Sequence, residues 1–274
     1  ITTTIALRRS IAKYMNSERT NDIVIGAGII GLAHAYQLAK RGRSVVVIER
    51  GQTARGASIR NFGMIWPVGQ RLGENRDLAL RSRDIWKIVV ADAGIWHRQT
   101  GSLHLAYEED ELAVLEEFVG QASGQVEAPT MVSPHQALKI SPVNETGLLG
   151  GMWSESEVCV DPREAVALLP GYLERQFGVR FEWFRQANAI DGTTVLTSNG
   201  SFSADHIWVC TGDDFHTLYP EIFAESKLYR TMLQMMRTDP RPDFQIGTML
   251  AAGLTLTHYK AFENCPSLQA LRDR

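Results

Sequence analysis

Three glycines and one carboxylate carry the first recognisable chemistry of this chain. They stand in Gly26-Ala27-Gly28-Ile29-Ile30-Gly31 and, about twenty residues on, at Glu49. Gly26 permits a tight turn, Gly28 lets the backbone approach a pyrophosphate, and Gly31 allows a helix to pack closely on a sheet. The pyrophosphate would face the positive end of that helix. A carboxylate at Glu49 would accept both hydroxyls of an adenosine ribose and repel a 2′-phosphate. A bare glycine motif of this kind is a weak signal, and its context is what gives it weight.

That context requires three elements. Asp22-Ile23-Val24-Ile25 is a short β-branched run, as a buried parallel strand should be. Leu32 to Arg41 reads as a helix with Leu32, Ala35, Tyr36, Leu38 and Ala39 on its apolar face, stopped by Gly42. Ser44 to Ile48 is a second strand, ending in Glu49. Together they predict an opening βαβ unit, an α/β fold and a dinucleotide site. An NAD-binding half-domain would continue with another helix and strand. Instead, Arg50 to Pro67 is polar and Gly-rich without helical period, and it offers backbone N–H groups, the Ser58 hydroxyl and the Asn61 amide to a second ligand surface.

GAGIIG, then Ile48-Glu49-Arg50, then Arg55-Gly56-Ala57-Ser58 with Asn61 and Gly63, resemble the D-amino-acid-oxidase/glycine-oxidase/sarcosine-oxidase family of FAD-dependent amine oxidoreductases. The resemblance implies a Rossmann-like FAD-binding domain with a mostly parallel sheet and an inserted α+β substrate domain. FAD is the implied cofactor. Its implied contacts are Gly26, Ala27, Gly28, Ile29, Ile30, Gly31 and Glu49, with Arg50 flanking the adenosine. Ser58 would meet the phosphates, Ala57 is a further cofactor contact, and Asn61, Gly63 and Met64 would lie near the flavin. Ala187 would touch the adenine, and Thr211 and Gly212 would return to the pyrophosphate. Arg60 is a loop candidate for positive charge near the reduced flavin, with a solvated arginine as its alternative. No catalytic residue is assigned.

The implied reaction takes hydride from the α-carbon of a small amine to the flavin and leaves an imine that hydrolyses. Electrons pass on to oxygen or to another acceptor. The run Ala57 to Gln70, the stretch Leu233-Gln234-Met235-Met236-Arg237-Thr238 and the ending from His258 to Leu268 resemble a subgroup associated with aminophosphonate breakdown. That implies an anion-bearing amine, with Arg71, Arg76 or His258 as candidates to meet the anion.

The implied organisation is an N-terminal extension (1–20), FAD-binding segments (21–84 and 151–225) and substrate-domain segments (85–150 and 226–274). Helices are predicted over Leu78–Asp92 and Glu108–Val119, with a strand at Ser102–Ala106 between them. Pro162 opens a further helix, which Pro170 should kink or divide. Gly178–Phe184 and Tyr229–Thr238 read as strands, and Cys210 as a small core residue. His104 and His258 read as satisfied core or surface histidines rather than active-site groups. No Gly-rich return to the FAD domain and no arginine suited to clamping a substrate carboxylate can be placed before Arg274, so the sequence resembles a member truncated at its C-terminus. Two alternatives stay open: an NAD-linked dehydrogenase, and a truncated, non-catalytic nucleotide-binding module.

Composition narrows the field. Lys and Arg total 28 against 31 Asp and Glu among 274 residues, a net charge of -3 with no basic tract, which argues against nucleic acid or a membrane surface as partner. No window approaches the roughly 18 consecutive apolar residues of a membrane span. The three cysteines, Cys159, Cys210 and Cys265, are widely spaced and form neither a disulfide framework nor a zinc motif. The histidines form no HExxH motif or other metal cluster, and Ser58 lies outside any GxSxG elbow. A reducing, cytoplasmic setting is the default expectation. Ile1–Thr20, basic and Ser/Thr-containing, reads as an upstream extension or misplaced start with Met15 as initiator, ahead of a transit peptide.

Overall fold

A computed structural model describes residues 18–274. The expectations for the leader and for Met15 therefore lie outside the described residues. In chain order the elements are β1 (Glu18–Ile25), α1 (Ile29–Lys40), β2 (Val45–Ile48), β3 (Met64–Ile65), α2 (Glu74–Ala93), β4 (His97–Gln99), β5 (Ser102–Ala106) and α3 (Glu109–Ala122). Then come β6 (Thr130–Val132), α4 (Pro134–Ile140), β7 (Gly150–Ser154), β8 (Val158–Val160), α5 (Pro162–Phe177) and β9 (Arg180–Glu182). The remainder are β10 (Ala187–Asp191), β11 (Thr194–Thr197), β12 (Ser201–Val209), α6 (Pro220–Glu225), β13 (Met249–Ala252), α7 (Leu254–His258) and α8 (Leu268–Asp273). They fall into two units. The first takes the described residues up to Phe62, with Ala93–Ile95 and Pro162–Gln234; the second takes Gly63–Asp92, Trp96–Asp161 and Met235–Arg274.

The first unit holds a six-stranded sheet in the order β10-β11-β12-β1-β2-β9. β1 runs parallel to both its neighbours, pairing Ile23 with Ile207 and with Val46, and β9 adds parallel to β2. β10 and β11 extend the β12 edge antiparallel. Ile23 and Val24 are fully buried, as a strand covered on both faces requires. β1 begins at Glu18, inside the stretch read as an extension: Thr20 is buried and its hydroxyl donates to the Ser44 carbonyl at 2.8 Å.

α1 buries the predicted face, and Gly42, at φ 76°, donates its N–H to the Ala39 carbonyl to end it. Tyr36 on α1 meets Phe177 on α5 edge to face, at 5.5 Å between centroids. Pro170 does not divide α5, which runs unbroken from Pro162 to Phe177; its ring is buried, and that packing offsets the missing N–H. The strand expected at Gly178–Phe184 shortens to β9, because Phe184 turns into the left-handed region at φ 54°. Tyr229–Thr238 forms no strand. Tyr229, Met232 and Met236 are exposed, and among the described residues no neighbouring strand supplies the ladder that extended backbone needs.

The second unit has a four-stranded sheet, β13-β5-β7-β6, and a three-stranded one, β3-β8-β4. Only the β13–β5 pairing of the larger sheet is parallel. Val114, Leu115 and Phe118 on α3, with Met152, Leu256, Phe262 and Leu268, make its main apolar cluster. Beside this runs a polar seam. The guanidinium of Arg83, 5% exposed, donates to both oxygens of Glu127, to Asp84 and to the Ser156 carbonyl. The Glu127 carboxyl is held below the ordinary range, chiefly by its hydrogen bonds from Arg83. Glu127→Gln should therefore lower stability by about 2 kcal/mol, less than a fully buried pair would lose because Asp84 remains and Glu127 is part-exposed. Urea unfolding measures this, and an unchanged midpoint would show that Asp84 suffices alone.

Candidate functional site

The C-terminal ends of β12, β1 and β2 lie side by side on one edge of the first sheet, and the loops leaving them enclose a cavity of about 550 Å³. That volume is within the range of small-molecule sites, roughly 300–1,000 Å³. Every residue lining it belongs to the first unit.

The turn after β1 explains its glycines. Gly26 sits at φ +104°, and a Cβ there would meet the Cys210 carbonyl oxygen at 2.3 Å. A Cβ on Gly31 would lie 1.9 Å from the Gly26 carbonyl oxygen. Gly28 is the extended N-cap of α1 and has no side chain to cap that helix, and no acid stands in its first turn. With no carboxylate there, the helix end leaves its partial positive charge to the cavity. Ser58 reaches in from the following loop, its Oγ accepting the Ile29 N–H at 2.9 Å.

Glu49 is held open for a ligand. Its Oε2 accepts the Ala27 N–H and its Oε1 the Gly51 N–H, each at 2.9 Å. Each oxygen keeps a lone pair for a further donor such as a ribose hydroxyl. The carboxylate thus ties the glycine turn to the loop after β2 while facing the cavity.

Of the predicted contacts, Gly26, Gly28, Ile29, Ile30, Glu49, Arg50, Ala57, Ser58, Asn61, Ala187, Thr211 and Gly212 line the cavity. Ala27 and Gly31 do not, serving instead as the donor to Glu49 and the close-packing point of α1. Gly63 and Met64 belong to the second unit, where Met64 opens β3 opposite Cys159. The Asn61 amide donates to the Ser58 carbonyl at 2.8 Å and to the Ala57 carbonyl at 3.3 Å, shaping its own loop. Cys210 is half-buried on the cavity wall just beyond β12, rather than in the core, because its N–H closes the ladder onto the Ile25 carbonyl and the chain then turns away.

The anion candidates fare differently. Arg76 is 1% exposed and gives its terminal N–H groups to the carbonyls of Val126 and Glu127. Arg71 pairs with Glu263, and His258 is exposed at the end of α7. His104 departs most from expectation. It is fully buried on β5 between the rings of Trp66 and Phe262, yet neither ring nitrogen has a hydrogen-bond partner among the described residues. Burial pushes its pKa down to about 4.

The model of the FAD dependent oxidoreductase family known as DAO matches residues 23–260. The chain belongs to this family. FAD is the family's cofactor, and the acid-free helix end, the glycine cradle and Glu49 fit its adenosine diphosphate half. Glycine oxidase of Bacillus licheniformis is 24% identical over 224 residues, covering 77% of this chain and 59% of that protein. Among solved structures, L-proline dehydrogenase from P. horikoshii aligns with a TM-score of 0.64 at 24% identity, covering 71% of this chain and 53% of the other. Glycine oxidase from Geobacillus kaustophilus gives 0.63 at 24%, covering 71% and 55%. The chain thus spans little more than half the length of these relatives.

Several lining residues went unnoticed in the sequence: Arg185 and Gln186 before Ala187, and Asp214 and Thr217 after Gly212. An Asp followed three residues later by Thr is a local side-chain turn signal that would have marked the last pair. Among the described residues no three or more His, Cys, Asp or Glu are arranged to hold a metal, and no helix is long and apolar enough to cross a membrane.

Proposed function

We propose that this chain carries the cofactor-binding unit, and part of the substrate unit, of an FAD-dependent oxidoreductase that oxidises the C–N bond of a small amine or amino acid. The carrying observation is the pairing of an α1 terminus free of acidic side chains with a Glu49 carboxylate already oriented by two backbone amides. When bound, FAD supplies the electron sink, so the protein needs little acid–base apparatus of its own. The backbone at Gly28 and the start of α1 receives the pyrophosphate, and Glu49 fixes the ribose. Arg50, Ser58, Ala187, Thr211 and Gly212 complete the cradle. The neutral amine would lose a hydride from its α-carbon to that electron sink and a proton from its nitrogen, leaving an imine that water would hydrolyse to a carbonyl and free amine or ammonia. An aminophosphonate is the finer reading; with Arg71 and Arg76 engaged internally, His258 is the group left to serve its anion.

The test is spectroscopic. The purified chain, given FAD, should show the visible bands of a bound flavin, and an anaerobic amine should bleach them. Peroxide on readmitting air would mark oxygen as the acceptor. Glu49→Ala should weaken FAD binding by about 2–3 kcal/mol, the worth of one or two charge-assisted hydrogen bonds. A chain that binds FAD but is bleached by no amine leaves a non-catalytic nucleotide-binding module. One that keeps full affinity without Glu49 refutes the site.

A further inference from the structure

The cavity rim carries an ion pair that cofactor binding does not by itself require. Arg50 follows β2 and Asp214 follows β12, the two strands flanking β1, and Arg50 Nη1 donates to Asp214 Oδ2 at 2.7 Å. Both residues line the cavity. Asp214 is fixed without help from Arg50: its Oδ1 accepts the N–H groups of His216 (3.2 Å) and Thr217 (3.1 Å), and its Oδ2 accepts the Thr217 hydroxyl at 2.8 Å. Leu218, next in the chain, is buried in the apolar cluster under the sheet and anchors that loop. The Asp214 side chain is only 12% exposed, against 57% for Arg50. Partial burial would raise its pKa, yet the carboxyl lies below its ordinary range because these hydrogen bonds and Arg50 favour the charged form. An anchored carboxylate therefore holds an exposed, five-donor cation on the cavity wall, with most of its donors unspent among the described residues.

We infer that the Arg50–Asp214 pair is a clasp on the dinucleotide pocket, in which Asp214 is a positioning residue that holds the Arg50 guanidinium at the rim and slows release of the cofactor. The inference rests on the FAD reading. Ordering a long arginine before the ligand arrives removes an entropic cost from binding and appears mainly in the dissociation rate. A purely structural pair would stabilise the fold without changing how fast FAD leaves.

Release of FAD after dilution, followed by its fluorescence, tests this with D214N, R50Q and the double variant. R50Q changes an exposed side chain and guards against a folding defect in D214N. Each single variant should release FAD roughly three- to tenfold faster, as expected for loss of a part-buried, charge-assisted contact. The double variant should release it no faster than the faster single, because the two residues act as one device. Added salt should speed release from the wild type more than from D214N. A wild-type chain that takes up no FAD sinks the cofactor reading and the clasp with it. If the wild type binds FAD but both single variants release it within twofold of the wild-type rate, the reading stands and the clasp alone is overturned. Additive effects in the double variant overturn it equally.

Discussion

Gly31→Ala is expected to destabilise the first unit by about 3 kcal/mol or more and to abolish FAD uptake, a larger effect than any change to a lining side chain. The added methyl would lie 1.9 Å from the Gly26 carbonyl oxygen and 3.2 Å from Val24 Cγ1, with backbone as the nearer obstacle. Backbone cannot rotate away, so α1 must lift from β1 and carry its N-terminus out of position. Gly28→Ala makes the contrast, since its Cβ meets only Ser58 Oγ at 3.2 Å, a side-chain atom that can give way at the cost of its single bond from the Ile29 N–H. Thermal unfolding of the two variants separates them. A Gly31→Ala protein melting with the wild type would mean the helix does not sit as closely as described.

Acid should weaken the second unit through His104. The imidazole is neutral in the fold, with its pKa lowered from 6.5 to about 4 by desolvation, whereas the unfolded chain protonates it normally. Between those values the unfolded state binds more protons, so stability falls as pH drops from 6.5 towards 4 and changes no further below that. Over the whole window the loss is about 3 kcal/mol. His104→Leu should flatten this slope and add about 1 kcal/mol at neutral pH, because two buried nitrogens without partners disappear. Urea unfolding of both proteins across the window measures it. Parallel pH profiles for His104→Leu and wild type would show that the imidazole finds a partner after all.

What could be read in the sequence was local. The βαβ unit declared itself because strand, glycine turn, helix and acid are contiguous, and each residue type answers one steric or electrostatic demand. Ser102–Ala106 was readable as a strand from its alternation, yet alternation suggests one polar face, and all five residues are buried. The reason is tertiary: α3 and α4 both pack on β5, so His104 has no solvent to turn to. Tyr229–Thr238 had the composition of a strand, but composition cannot supply a neighbour to pair with. Asp214 was invisible for the opposite reason, since its meaning depends on Arg50, which only the sheet order brings within reach.

The register of β1 has a consequence for how the polypeptide is made. Ile23 pairs with Val46 soon after both are synthesised, but its other partner, Ile207, leaves the ribosome far later. Until then the nascent chain carries a β-branched edge with open amides and carbonyls, the kind of surface that recruits foreign strands. Chaperone dependence and inclusion-body formation in fast expression hosts are the expected costs, and slowing translation should raise the yield of folded material.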